Sequence, residues 1–317
     1  MAQKRIGVAA MGGDSRAVLD RIILLERMGI PAAWLTTGGT MPDGITLFAA
    51  AAARTERILL GTCITPTWPR HPLVTVQQTQ VVAHLAPGRF RLGVGPSHKA
   101  SMEQLYGFKY HTPLTHLREY IHIVKKLLHE GAVDFDGKHF HAHAKLATPL
   151  PDIPIMASAL RSKSYELCGE LADGAISWVC PGAYLRDVAL PAMVTGARKA
   201  GRPTPPLIVH APVCVHDSLQ EAHAAAREQL GNYPRSFLYQ QMFVAAGFPE
   251  ATEGSWSDRM LDAVVLAGNE QKVGARLRQL FDWGATEIIA HPIGAGRDAR
   301  ASIQRTLELV AAVSRSL

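Results

Sequence analysis

Short apolar runs alternate with longer amphipathic segments along nearly the whole chain. In residues 114–129, for example, apolar side chains recur at the three- and four-residue spacing of a helix with one buried face. The short runs between such segments are almost continuously apolar, which is typical of parallel strands covered on both sides. We predict strands at 6–10, 32–36, 58–64, 90–95, 154–157, 174–177, 207–215 and 287–290.

Helices are predicted between these strands. The helix over 72–85 begins with Pro72, whose missing N–H costs nothing in the first turn. Eight strands that alternate with helices in a chain of this length favour a closed (β/α)8 TIM barrel over an open doubly wound sheet. We expect one barrel domain over 1–317. The predicted helices are 15–28, 45–54, 72–85, 114–129, 163–172, 185–200, 219–230, 270–283 and 299–313.

Two segments interrupt this alternation. Residues 133–146 carry Asp136 and Gly137 at their centre, and an Asp-Gly pair between alternating runs predicts a hairpin insertion. Residues 232–265 form a stretch without clear periodicity, which we expect to be irregular and to act as a lid or binding loop. Its aromatic residues could wall the substrate pocket, but we favour their interpretation as core or dimer contacts; they are Tyr233, Phe237, Tyr239, Phe243, Phe248 and Trp256.

Composition narrows the class of protein. Of 317 residues, 47% are hydrophobic and 19% are charged, as in ordinary globular enzymes. The net charge of +6 is scattered rather than clustered, which argues against nucleic-acid binding but would attract an acidic cofactor. The four cysteines form no CxxC pair, which argues against disulfides and zinc. No apolar run approaches a membrane span and the N-terminus does not resemble a secretion signal, so we expect a cytoplasmic protein.

Candidate chemistry lies in the loops after the strands, because active sites of such barrels form there. The loop after strand three contains three prolines and Trp68, and the loop after strand four has small residues around Gly95 that would let a ligand approach the backbone. After strand five, hydroxyl groups and the cations Arg161 and Lys163 precede a helix, a combination suited to anion binding. For the two cations, a solvated helix start is the alternative.

Several sequence blocks together resemble the bacterial luciferase-like superfamily and, within it, the deazaflavin (coenzyme F420)-dependent oxidoreductases. These blocks are 60–66 (LGTCITP) with 69–72 (PRHP), 89–98 (RFRLGVGPSH), 169–174 (GELADG) and 283–284 (WG). The resemblance covers essentially the whole chain. It implies a homodimer and a cofactor ring above the strand ends, next to a non-prolyl cis peptide bond that would join Cys63 and Ile64.

The same resemblance implies which residues hold the cofactor. The implied contacts are Cys63, Ile64, Thr65, Gly95, Pro96, Ser97, His98, Ser158, Ala159, Leu160, Arg161, Lys163 and Ser164. Cys63 is interpreted as a backbone position rather than a nucleophile, since no neighbouring His or Lys would lower the pKa of its thiol.

One departure from the family concerns the direction of the reaction. Relatives that oxidise alcohols or sugar phosphates carry a His after strand two and a Glu after strand four, and the matching positions here are Gly38 and His98. Alcohol oxidation needs a base for the alcohol proton. Without that His, reduction of a C=C or C=N bond in a small molecule is favoured, with the cofactor supplying the hydride.

Candidate catalytic residues are His98, Trp68 and His291. His98 could supply a proton or hold the cofactor, and Trp68 could line the substrate pocket. His291 follows strand eight on the side of the site, where a substrate contact and a packing role both stay open. The alternating histidines of 139–143 suggest a metal site, but we interpret them as surface residues of a hairpin away from the catalytic face and expect no metal.

Three functions remain open at this stage. The first is a deazaflavin-dependent reductase. The second is a monooxygenase of the same fold that uses reduced FMN and oxygen. The third is a non-catalytic binding subunit, an alternative that Gly38 keeps open, although the cations and small residues of the phosphate loops argue against it.

Overall fold

The structure is a computed structural model that describes residues 4–231 and 233–317. Eight parallel strands close into a barrel in the order β1-β2-β3-β5-β8-β9-β10-β12, and β12 pairs again with β1. This confirms the predicted TIM barrel. The strands are β1 Arg5–Ala9, β2 Ala32–Leu35, β3 Leu59–Thr62, β4 Thr65–Pro66, β5 Phe90–Gly95, β6 Ala132–Asp136, β7 His141–Lys145, β8 Ile155–Ser158, β9 Ala175–Trp178, β10 Leu207–Val215, β11 Leu266–Gly268 and β12 Glu287–Pro292.

Helices surround the barrel, and short polar side chains start several of them. Asp14 accepts a hydrogen bond from the Ala17 amide at the start of α1, and Asp43 accepts one from the Thr46 amide at the start of α2. The helices are α1 Ser15–Arg27, α2 Gly44–Ala52, α3 Pro72–Leu85, α4 Lys99–Tyr106, α5 Pro113–Glu130, α6 Ser162–Leu171, α7 Gly182–Tyr184, α8 Leu190–Lys199, α9 Leu219–Gln229, α10 Phe237–Ala245, α11 Asp258–Val264, α12 Glu270–Asp282 and α13 Ala299–Arg315. No helix in the described ranges is long and apolar enough to cross a membrane.

The N-terminal end of the barrel is filled by a buried ion pair and an indole ring. The Arg91 guanidinium donates to both carboxylate oxygens of Glu287, at 2.5 and 2.9 Å, and lies 4.3 Å from the centre of the Trp34 ring. The Trp34 Nε1 donates to Glu287 at 3.1 Å. Room for the indole comes from two glycines, since a Cβ at Gly7 or at Gly61 would lie within 2.7 Å of its ring. Trp34, Arg91 and Glu287 therefore form a plug below the barrel centre.

Three segments differ from the sequence prediction. The region 232–265 was expected to be irregular, but α10, α11 and two 3-10 turns lie within it; Asn232 itself is outside the described residues. Helix α4 was not predicted, because it has eight residues and little amphipathic periodicity. The helix predicted over 185–200 begins instead with α7 and a π-helical turn at Leu185–Ala189.

Candidate active site

Four side chains from neighbouring strands face the C-terminal mouth of the barrel. Successive residues of a strand point to opposite faces, so a residue two positions after a barrel-interior residue also points inward. Met156, Ile176, Ile208 and Ile289 belong to the interior cluster. The inward residues that follow them are Ser158, Trp178, His210 and His291.

On the opposite side of the mouth, the peptide bond between Cys63 and Ile64 is cis, which confirms the prediction of a cis bond at this position. The Thr36 hydroxyl donates to the Cys63 carbonyl at 3.0 Å, and the Thr37 amide donates to the Ile64 carbonyl at 3.2 Å. Burial raises the pKa of the Cys63 thiol to about 12, so the thiol stays protonated at neutral pH. Cys63 is therefore a backbone element of the mouth rather than a nucleophile.

The end of β5 packs closely on the end of β8 because Gly95 has no side chain. A Cβ on Gly95 would overlap the Ser158 hydroxyl. The two residues can therefore approach each other this closely only because residue 95 is a glycine. Ser97 adopts a left-handed backbone conformation with φ of 59°, which non-glycine residues rarely adopt. Pro96 and Ser97 are half-buried.

The start of α6 lies directly after Ser158, Ala159 and Leu160. The Ser164 hydroxyl accepts hydrogen bonds from the Leu160 and Arg161 amides at 3.0 and 3.1 Å. The Ser164 hydroxyl therefore caps α6, and its implied contact with the cofactor stays a prediction. Arg161 and Lys163 are exposed in the first turn, where backbone amides have no intrahelical acceptor. An anion would therefore meet two cations and a helix N-terminus here.

His98 lies at the start of α4, against rings of the segment after α9. Its imidazole centre is 5.7 Å from the Tyr233 ring and 6.0 Å from the Tyr239 ring. Desolvation between these rings lowers the pKa of His98, although part of the residue remains exposed. The sequence interpretation treated the two tyrosines mainly as packing residues, and their contact with His98 brings them to the mouth.

Two histidines from adjacent strands meet above the barrel centre. His210 and His291 have ring centres 5.5 Å apart, and both contact Trp178, at 4.1 and 5.1 Å. Burial lowers the pKa of His291 to about 4. Burial, and secondarily the neighbouring His291, also lowers the pKa of His210 well below its usual value. Both imidazoles are therefore uncharged at neutral pH.

Sequence reasoning selected His291 but missed His210. The strand of His210 is apolar on both faces, so the residue was counted only as part of a buried run. The sequence did contain an indication of His210. A histidine in a buried apolar run either forms hydrogen bonds within the protein or has a functional role.

Trp68 occupies a different cluster from His98 and His291. Its ring stacks on His116 at 4.0 Å with an interplanar angle of 8°, and lies 5.2 Å from the ring of Tyr110. The Tyr110 hydroxyl donates to the Ser97 carbonyl at 3.2 Å. This hydrogen bond links the cluster to the loop after β5 at the mouth. Trp68 thus supports the loop around Ser97, and the structure does not bring it together with the other two candidate catalytic residues.

The hairpin β6–β7 packs against this cluster. The His139 ring is 5.8 Å from the ring of Trp68. His141 and His143 point to the hairpin surface instead, where their imidazoles hydrogen bond to Asp136 and Asp134 at 2.7 and 2.5 Å.

Comparison with known proteins gives the same fold and a family. The family model described as luciferase-like monooxygenase matches residues 1–287. A 5,10-methylenetetrahydromethanopterin reductase from Methanolobus tindarius is 28% identical over 297 residues, which cover 87% of this chain and 90% of that protein.

Solved structures agree on the fold alone. An F420-dependent secondary alcohol dehydrogenase in complex with an F420–acetone adduct has a TM-score of 0.82 at 17% identity, with 99% of each chain covered. The FMN-bound oxygenating constituent of 3,6-diketocamphane monooxygenase from Pseudomonas putida has a TM-score of 0.73 at 19% identity, also with 99% coverage of each chain.

Proposed function

Since this chain belongs to the luciferase-like monooxygenase family, we propose that it is an F420-dependent oxidoreductase that reduces a C=C or C=N bond of a small organic molecule. The relative from Methanolobus tindarius is named as a reductase and aligns over most of both chains, which supports this direction. The observation that carries the proposal is the mouth itself, which combines a small-residue floor at Gly95 with a cationic helix start at Arg161 and Lys163.

The residues present fit a phosphate-bearing deazaflavin. At the mouth, Gly95 has no side chain that could obstruct a planar ring, and its backbone packs closely on Ser158, whose hydroxyl would lie 2.1 Å from a Cβ at position 95. The first turn of α6 is suited to the phosphate, with Arg161 and Lys163 beside it. When bound, the cofactor supplies the hydride. The chain's own contribution is to hold the ring, to orient the substrate and to exclude water.

The side chains at the mouth support reduction rather than alcohol oxidation. Burial lowers the pKa values of His98 and His291. An imidazole with a low pKa is a weak base, and Gly38 offers no side chain after β2. Steady oxidation of alcohols by this protein with oxidised F420 would contradict the proposed direction.

The first test is a parallel titration of purified protein with oxidised F420 and with FMN, followed by quenching of cofactor fluorescence. We expect saturable F420 binding at least tenfold tighter than FMN binding. The opposite order would move the protein to the oxygen-using branch of its family. Binding of neither would favour a non-catalytic subunit.

We also propose that the protein is a homodimer, and that the outer face of α3 contributes to the interface. Val74, Val81 and Leu85 lie on this face with 43, 50 and 48% of their surface exposed. Replacing Val81 with glutamate should shift the species observed by analytical ultracentrifugation from dimer to monomer. Val194→Glu is the control, because Val194 is equally exposed but lies on α8. A dimer that survives Val81→Glu would place the interface elsewhere.

A further inference from the structure

Rings from five parts of the chain form a continuous surface along one side of the mouth, which we call the aromatic wall. His98 contacts Tyr233 and Tyr239, the two tyrosines are 4.8 Å apart, and Tyr233 lies 6.0 Å from Trp178. Trp178 then contacts the two histidines of the neighbouring strands. The aromatic wall consists of His98, Trp178, His210, Tyr233, Tyr239 and His291.

The aromatic wall carries no formal charge at neutral pH. Burial raises the pKa of Tyr233 and of Tyr239, which keeps both phenols protonated, and it lowers the pKa of each histidine. None of the six side chains of the aromatic wall is a Lys, Arg, Asp or Glu. A charged substrate would lose its hydration beside this surface without gaining a counter-charge, which is strongly unfavourable.

Two polar atoms of the aromatic wall are buried without a hydrogen-bond partner in the described structure. They are Nε2 of His210 and Nδ1 of His291, and only 4% of the His210 surface is exposed. Buried polar atoms in native proteins are nearly always paired, and a ligand is one way to pair them. The neutral imidazoles can donate or accept, so an uncharged polar group of the substrate would suit both.

Resting on the proposed F420-dependent reduction, we propose that the aromatic wall binds the substrate and that this substrate is a planar, conjugated, uncharged molecule with one polar group directed at His210 and His291. Flat conjugated molecules gain stacking and edge-to-face contacts against such rings, and these contacts add to the burial of apolar area. The surface is unsuited to sugar phosphates and to carboxylate substrates, because none of its six side chains is a cation at neutral pH.

The test uses 2-naphthamide, a planar uncharged probe, and its anionic counterpart 2-naphthoate, each titrated calorimetrically into the full-length protein with and without oxidised F420. We expect saturable 2-naphthamide binding and at least tenfold weaker 2-naphthoate binding. Trp178→Leu should weaken 2-naphthamide binding about tenfold, the equivalent of roughly 1.4 kcal/mol. Phe237→Leu is the matched control, since Phe237 lies on the same inserted segment as Tyr239 but is 66% exposed outside the aromatic wall.

A second variant guards against misfolding of the first. Tyr233→Leu removes another ring of the aromatic wall from a half-buried position and should also weaken 2-naphthamide binding, whereas Tyr233→Phe should retain it. Equal affinity for the amide and the carboxylate, no 2-naphthamide binding, or unchanged binding by the leucine variants would overturn the inference. If the protein does not bind F420 but the leucine variants still weaken 2-naphthamide binding, the aromatic wall is a binding surface and the proposed cofactor is wrong.

Discussion

Replacing Glu287 with alanine is expected to lower the free energy of unfolding by about 3–5 kcal/mol, the usual cost of breaking a buried ion pair by removing one partner. Glu287 is 5% exposed and its carboxylate accepts hydrogen bonds from Arg91 and Trp34. Its loss would leave the Arg91 guanidinium buried without a counter-charge and the Trp34 N–H without an acceptor. Urea unfolding followed by circular dichroism measures the change.

Two comparisons make this prediction specific. Asp187→Ala removes the partner of Arg186 in an exposed ion pair and should leave stability nearly unchanged. The double variant Arg91→Met/Glu287→Leu removes both buried charges and should recover much of the loss. If Glu287→Ala proves as stable as Asp187→Ala, the plug does not stabilise the barrel.

Removing both cations at the start of α6 is expected to weaken F420 binding about tenfold to hundredfold. The variant is Arg161→Ala/Lys163→Ala, and the size follows from about 1.5–3 kcal/mol for hydrogen bonds to charged groups, reduced by the exposure of both side chains. Because the interaction is electrostatic, the wild-type affinity should also fall as salt rises, and the variant should show a smaller salt dependence. Fluorescence titration at two salt concentrations measures both effects.

The matched control is Arg198→Ala/Lys199→Ala, which removes two cations from the last turn of α8. Its F420 affinity and salt dependence should equal those of the wild type. Equal weakening by both double variants would indicate a general effect of net charge, and no weakening by Arg161→Ala/Lys163→Ala would remove α6 from the cofactor site.

The barrel could be predicted because each strand is recognisable from its own short stretch of sequence. Apolar runs such as 207–215 predict strands, and the periodicity of the segments between them predicts helices. That the sheet closes into a barrel follows from the number of strands. The cis bond after Cys63 was predicted from sequence blocks shared with a family, since nothing in the local residue types alone requires it.

The aromatic wall could not be predicted in the same way, because its members are brought together by the fold. Tyr233 and His98 are separated by more of the chain than any local pattern spans, and His210 is hidden inside an apolar strand. The capping role of Ser164 is local by contrast, since its hydroxyl accepts hydrogen bonds from the Leu160 and Arg161 amides.

The plug of Trp34, Arg91 and Glu287 also affects the order in which ligands can bind and leave. Since the barrel is filled at its N-terminal end, cofactor and substrate would share the mouth as their common entrance and exit. Two ligands that share one entrance cannot exchange independently when one lies beneath the other; the deeper one arrives first and leaves last. Steady-state turnover would then follow a compulsory order, and product-inhibition patterns would reveal which ligand lies deeper.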